Sequence, residues 1–473
     1  MATTIGSIAN VLREELAPGI RESLADIDEV FKNIVSTSMG VERDGLGRTW
    51  QFIHTFETGL SGGYKIRSAA GPNVVSGLNN VTMLGTPQGY PSQAEVTSAA
   101  YLQKTITLKE GAGSLAIPHQ YLRADQLSAA IGSAVKAELR GTAKKIAHTH
   151  AIHFYLDDTT NAAIADVGDV SATVTNNTTT AITVDFGGTN AQAPIRRFYP
   201  GMLVDFFKSD GTVQRNPNSL WVTDELDPLA DKVTFRSVDG VTAVTLADDD
   251  VVVFKDSRAQ QFSGLNSWIK NSGSVFGISL TNFPHFKSHL PSGIGAALTE
   301  TVLNKHWARF YDAYGTTMKL DTIITTPGVT IGYLDNLSST GAANQVGRWN
   351  RSGEPLEVSA GWGGFNYVYN GMPVSWLISS YVARKNLYAI KLGMQNIKRF
   401  VPPAIPGTTS EDGFDGSVEF IAPLGGSNGP FLHSRLPSGA VGDNVEAPFA
   451  VVQEFAPEYV QSIKLVNITE SLG

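Results

Sequence analysis

Residues 49–67 read TWQFIHTFETGLSGGYKIR. Trp50, Phe52, His54 and Phe56 alternate with Gln51, Ile53, Thr55 and Glu57, the period-two pattern of a β-strand. Gly59, Gly62 and Gly63 make a flexible tip, and Tyr64-Lys65-Ile66-Arg67 alternates again, so the two runs predict an extended β-hairpin. Two strands alone are marginal in water. Their surroundings add little support, because ten of the 50 residues from Gly40 to Gly89 are glycine, against 47 of 473 overall. A long, poorly packed excursion inside a compact domain is either functional or disordered. This one reads as an arm that becomes ordered by lying on another copy of the chain. A return strand is expected near Val96 to Leu108.

Helical patterns bracket the excursion. Ile20, Leu24, Ile27, Phe31 and Ile34 recur at steps of three and four, one face of an α-helix. Pro18-Gly19 separates it from a shorter helical piece, Ile8 to Leu16. Two readings stand for this helix: an arm reaching a neighbour, or an element docked on its own body. On the far side, Leu127, Ile131, Val135, Leu139, Ala143, Ile146, His150 and Phe154 keep the same period behind Asp125, a natural N-cap. From Gln126 to Leu156 that helix would be about 45 Å long at 1.5 Å per residue.

Residues 158–260 change texture. Strand-like runs occur at Ala181 to Phe186, Leu203 to Phe207, Ser219 to Thr223, Val241 to Leu246 and Val251 to Phe254, with hairpin-type turns at Asp210-Gly211 and Asp239-Gly240. They predict a small all-β module, a barrel being one form of it. Further on, Leu298, Val302, Trp307, Phe310 and Tyr314 mark a helix stopped by Gly315. Leu320 to Thr325 is a strand ended by Pro327-Gly328, a helical turn follows at Ile331 to Leu337, and Pro373 to Ile378 and Val460 to Ile468 are extended.

Composition narrows the function. Net charge is −8 and only 17% of residues are charged. A sequence-reading DNA binder would show a basic patch, and none is visible. Low charge density suits broad contact surfaces, whose cores are depleted of charge. No run approaches the length of a membrane helix, and the opening MATTIGSIANVLREEL has neither the basic flank nor the apolar run of a secretory signal. With no cysteine, disulfides and thiolate metal sites are excluded.

Catalytic and metal motifs are weak. Gly425-Gly-Ser427-Asn-Gly429 fits G-x-S-x-G, but a nucleophile elbow needs a helix behind the serine and an acid before the histidine. Residues 430–437 do not read as that helix, and no acid separates Ser427 from His433. His150, His153 and Asp157 share a helix face, with His148 nearby; a metal site would need further ligands and supporting hydrogen bonds. Asp248-Asp249-Asp250 lacks the spacing of a calcium loop and reads as a turn. The acceptor sequons at Asn176, Asn177 and Asn467 matter only to a secreted chain. No catalytic, cofactor-binding or metal-binding residue is therefore assigned, and the chain is expected not to be an enzyme.

The order of these parts resembles the major capsid proteins of tailed bacteriophages, of the Hong Kong ninety-seven fold. The likeness is carried by the amphipathic N-terminal segment, the Gly-rich loop, Ile106-Thr-Leu108 through Ile117-Pro-His-Gln-Tyr-Leu122, and the long helix. It continues in Leu298 to Gly315, Asp321-Thr-Ile-Ile-Thr-Thr-Pro327, Gly371-Met-Pro-Val374 and Phe455-Ala-Pro-Glu-Tyr-Val-Gln-Ser-Ile-Lys464. The resemblance implies an α+β fold. Its parts would be an N-terminal arm (1–39), an extended loop (40–95) and a peripheral domain with a spine helix (96–157). A β-rich insertion domain (158–260), an axial domain (261–450) and a C-terminal strand returning to the peripheral domain (451–473) would follow.

It also implies function. The chain would assemble with itself into hexamers and pentamers of an icosahedral phage head, enclosing double-stranded DNA without reading its sequence. Portal, scaffolding and decoration proteins would be partners, no membrane or cofactor would be involved, and the site of action would be the virion, assembled in the host cytoplasm. No long helical scaffolding segment precedes the arm, which implies a separate scaffolding protein or none. Some members crosslink a loop lysine to a neighbour's asparagine; Lys65 is placed for that, and is otherwise a solvated lysine. The alternative is an encapsulin-like cellular shell around protein cargo.

Overall fold

The structure, a computed structural model, describes residues 28, 30, 40–42, 49–56, 100–107, 109–118, 141, 144–156, 165–167, 180–186, 194–208, 212–247, 250–258, 260–261, 263–315, 319–339, 366–369, 372–392, 396–400, 418–420, 432–435 and 441–470. It is a mixed α and β chain with several sheets.

The central sheet has five strands in the order Asn366–Tyr369, Met372–Ile378, Thr322–Thr325, Leu387–Ile390 and Ile463–Leu465. Thr322–Thr325 lies parallel to Met372–Ile378, and the other pairings are antiparallel. All four residues of Thr322–Thr325 are buried. The reason is that the sheet is covered on both faces, which gives a strand a continuous apolar run instead of an alternating one. Ile323 and Ala389 enter one core with Leu303, Trp307 and Phe310 of helix Glu300–Tyr314 and with Val329 and Tyr333 of helix Pro327–Ser339. Ile324, Tyr388 and Ile390 enter a second core with Ala151, Phe154 and Trp268.

Helix Glu300–Tyr314 keeps its expected limits: the Thr299 hydroxyl accepts from the Val302 amide, and Gly315 closes it at φ 76°. Pro327-Gly328, expected as a plain stop, opens a helix instead. Thr326 Oγ1 accepts from the Val329 amide, and proline at the first turn has no amide to leave unsatisfied. Pairing of Tyr369 with Met372 leaves two residues between the strands.

A second sheet is organised by the 17-residue strand Val441–Pro457. It pairs antiparallel with Lys109–Pro118 over ten residues, and with Ile397–Phe400, Val418–Phe420 and Leu432–Arg435. Gly40–Glu42 adds in parallel to Ile397–Phe400.

Residues 165–254 contain a six-stranded antiparallel sheet in the order Ala165–Val167, Asp250–Phe254, Leu203–Phe207, Trp221–Asp227, Lys232–Ser237 and Ala181–Asp185. Among the described residues its pairings form an open path, with strand Ala165–Val167 at one end and Ala181–Asp185 at the other. Lys232–Ser237 was not foreseen; Val241 to Leu246, expected as a strand, has no ladder partner. The cause lies at Asp239. Its carboxylate accepts from the Val241 and Thr242 amides at 2.9 Å each, so Asp239-Gly240 makes an Asx turn that leads the chain off the sheet. The tight hairpin occurs earlier, at 228–231, where Asp227 accepts from the Leu229 and Ala230 amides and Asp231 takes φ 55°.

The long helix is described at 141 and 144–154. Its end is enclosed on all sides, since Ala147, Ala151, Ile152, Phe154 and Tyr155 are buried together with His150 and His153. The single apolar face read from the sequence therefore understates this end. Residues 126–140 lie outside the described residues.

Candidate assembly interface

Thr49–Phe56 forms a strand, as its alternation requires. Its described partner is Ala100–Thr107, paired antiparallel over eight residues from Thr49↔Thr107 to Phe56↔Ala100. The return strand is thus a partner of 49–56; the other run of the expected hairpin, 64–67, lies outside the described residues. Eight unbroken pairs set one register, which a strand of alternating large residues favours. These two strands make a separate sheet, joined by no ladder to the other described strands. The ribbon spans the ends of residues 57–99, and at its base Ile106 is 2% exposed.

Of the N-terminal segment, Asp28 and Val30 are described, and both are buried in this same chain. Val30 belongs to the core built on helix 144–154, and Asp28 Oδ2 accepts from the Tyr155 hydroxyl at 2.6 Å. Here the docked alternative holds at these two residues.

The β-rich sheet is fastened to the body at three kinds of contact. Its inner face, with Val204, Phe206, Trp221 and Phe235, joins the core that includes Phe154, Tyr381 and Val382. Buried Arg197 donates from Nε and Nη2 to the Tyr381 carbonyl at 2.9 and 2.6 Å. At the hairpin tip, Asp231 receives two hydrogen bonds from the Arg384 guanidinium. Leu229, on the same tip, is 99% exposed.

Candidate chemistry takes structural roles where it is described. His148 stands edge-on to Tyr199 and Tyr381; burial first, and then the Arg196 charge, push its pKa down to about 4. His153 meets the Phe254 ring edge-on at 5.0 Å, and burial lowers its pKa to about 3. Both rings are neutral near pH 7. Asp157 lies outside the described residues, and among those described no group of three His, Cys, Asp or Glu is placed to hold a metal ion.

Asp250 does not face solvent. It opens a buried strand and takes a two-point ion pair from Arg215, both contacts at 3.0 Å. Ser427 lies outside the described residues. His433 falls in strand Leu432–Arg435, opposite Val445, where an elbow would have a helix. Lys65, Asp248, Asp249, Asn176 and Asn177 also lie outside; Asn467 is exposed at φ 57°.

A small cavity of about 10 Å³ lies among Leu265, Trp268, Ile390, Asn396, Tyr459 and Ser462, room for about one water molecule and far below a ligand pocket. No described helix is long and apolar enough to cross a membrane. Sequence reasoning missed Asp231, Arg384 and Arg197. Asp-Pro-Leu-Ala-Asp at 227–231 was the available turn signal, while the arginines' partners are set by tertiary structure.

No protein-family model and no curated protein matches the chain. Solved structures do. A capsid chain of cyanophage A-1(L) is 12% identical, the match covering 92% of this chain and 93% of that one, with a TM-score of 0.39. A chain from the capsid of a native GTA particle is 10% identical, over 92% and 90%, with a TM-score of 0.37. A chain of an encapsulin complex from Synechococcus elongatus is 8% identical, over 92% and 87%, also with a TM-score of 0.37.

Proposed function

We propose that the chain is a major capsid protein that assembles with itself into the hexamers and pentamers of an icosahedral phage head around double-stranded DNA. The observation that carries this reading is the ribbon Thr49–Phe56/Ala100–Thr107, joined by no ladder to another described sheet and bounding a 43-residue, Gly-rich stretch, 57–99. Such a ribbon gains its stability from a surface laid against it, and a neighbouring subunit supplies one at every position of a closed shell. Many modest contacts then add through multivalency.

In this reading residues 1–39 are the N-terminal arm, docked on its own body at Asp28 and Val30, 40–95 the extended loop and 96–157 the peripheral domain with its spine helix. Residues 158–260 are an insertion domain, 261–450 an axial domain, and 451–473 the returning strand. The weak acidity of the chain suits a wall that confines DNA without gripping it. Portal, scaffolding and decoration proteins are its expected partners, the virion is its location, and no catalysis is assigned to it.

Deleting Thr58 to Arg67 tests the reading. The expected product is a soluble, folded subunit that forms no shells by negative-stain microscopy; particles of normal shape overturn the proposal. The contents of wild-type particles discriminate further, since protein cargo in place of nuclease-protected DNA identifies a cellular encapsulating shell instead.

A further inference from the structure

We propose that His289 and His306 form an acid-sensitive latch that holds the strand Ile463–Leu465 against helix Glu300–Tyr314. This inference does not rest on the shell reading. His289 Nε2 and His306 Nδ1 lie 3.0 Å apart, a direct ring-to-ring hydrogen bond, with the rings tilted by 41°. His306 sits on the helix and is 8% exposed. His289 belongs to the segment that lies beside the C-terminal strand. Its amide donates to the Ser462 carbonyl at 2.8 Å, and its carbonyl accepts from the Lys464 amide at 3.1 Å. It forms a parallel bridge with Ile463. Ile463 and Leu465 in turn fill the core beside Leu303 and Trp307. The ring pair therefore links the helix, through one residue, to the backbone of the closing strand.

The chemistry of the pair sets its response to acid. With both rings neutral, one N–H donates to the other's lone pair. With both protonated, an N–H faces an N–H, the bond is lost, and two positive charges meet at contact distance. The charged groups that act on the rings from the surrounding elements are cations. Arg309 bears on both rings and Lys305 on His306, both from the helix. From the closing strand, the Lys464 ammonium is engaged elsewhere, on Asn266 Oδ1 at 2.9 Å. On the His289 segment, the carbonyl of Lys287 accepts from the Tyr314 hydroxyl. Burial comes first in lowering both rings below the ordinary histidine value; Arg309 follows for His289, and His289, Lys305 and Arg309 follow for His306. The neutral, bonded pair is thus the state at pH 7; a first proton leaves one N–H⁺ donating to the remaining neutral ring, and the second, which sets N–H against N–H, drives the rings apart.

Hydrogen exchange read amide by amide tests this. Protection of the Lys464 amide, corrected for intrinsic rate, is measured from pH 8 to 4 relative to the Ile323 amide, two strands away in the same sheet and core. The expected result is a fall of about tenfold or more in that ratio, a change of about 1.4 kcal/mol in local opening. In His306→Gln, which keeps a polar side chain that does not titrate, the ratio is expected to stay flat. His289→Asn gives the same readout should the first variant fail to fold. A ratio that is constant in the wild type, or that falls equally in a folded variant, overturns the proposal.

Discussion

The Tyr155 hydroxyl donates to Asp28 Oδ2 at 2.6 Å, joining positions 127 residues apart. Burial, followed by the Asp28 charge, holds the phenol well above its usual pKa, so Tyr155 remains a donor. Asp28 is 4% exposed, and a buried carboxylate that loses a donor keeps its desolvation cost. Tyr155→Phe is expected to destabilise the chain by about 1–3 kcal/mol and to expose the N-terminal segment to limited proteolysis. An unchanged melting temperature together with an unchanged digest would refute the role assigned to this bond.

Gly264 lies against the end of the long helix. A Cβ there would stand 2.3 Å from the His153 carbonyl oxygen, 2.4 Å from that of Leu156 and 2.7 Å from that of Phe154. Backbone cannot yield as a flexible side chain does. Next to it, Asn266 Nδ2 donates to the Tyr155 carbonyl at 2.9 Å, while Oδ1 accepts from the Tyr388 hydroxyl at 2.9 Å. Gly264→Ala is expected to cost on the order of 3 kcal/mol, seen as loss of soluble protein or a large drop in melting temperature. Gly201→Ala, with open space around the Cβ position, is the comparison; it carries only the strain of φ 79°.

Acid should weaken the fold through two buried rings. In the unfolded chain a histidine titrates near 6.5; folded, His148 and His153 titrate near 4 and 3. Above pH 6.5 both states are neutral and the folded state keeps its full stability. As pH falls from 6.5 toward 3, the unfolded chain binds protons that the folded one refuses, so stability declines. These shifts correspond to roughly 3 kcal/mol for His148 and roughly 5 kcal/mol for His153, reached only as pH falls to the folded values. Urea midpoints measured across this range should fall with pH, and His153→Leu should flatten the fall. A variant with the wild-type slope would show that His153 contributes nothing to acid sensitivity.

Arg384 and Asp231 pin the hairpin tip of the β-rich sheet to the body, with side chains 28% and 25% exposed. Arg384→Met removes the pin while keeping much of the aliphatic stem. The expected cost is about 1–2 kcal/mol, above that of an exposed pair because this one is half-buried and two-pointed. Cleavage at 228–231 by a low dose of protease should appear in Arg384→Met before any change in Trp221 fluorescence. Simultaneous loss of both signals would mean that the tip has no independent mobility to release.

Much of this was legible in the sequence, and the lapses have physical causes. Gly315 and the spacing of Leu298, Val302, Trp307 and Phe310 mark a helix by local chemistry alone, and that helix stands where the pattern puts it. The alternation of Trp50 to Phe56 marks a strand, but alternation is silent about the partner, which lies in residues 100–107. Pro327-Gly328 reads equally as a stop or as a first helical turn, and Thr326 decides between them through its cap. Val241 to Leu246 has the right residues for a strand, yet the Asp239 carboxylate turns the chain away first. Arg197 and Asp28 leave no trace in residue order, because each meets a partner more than 100 residues away, and the His289–His306 contact follows no local period.

The strand Val441–Pro457 has a consequence for biogenesis. Asn444 finds its partner Pro118 at a separation of 326 positions. At a translation rate of about 5–20 residues per second, roughly 15–65 s separate the synthesis of the two edges. Until then Lys109–Pro118 waits on the ribosome with this ladder unmade, an exposed edge of the kind that chaperones shield. Nascent chains on one messenger therefore carry this sheet incomplete until each is nearly finished.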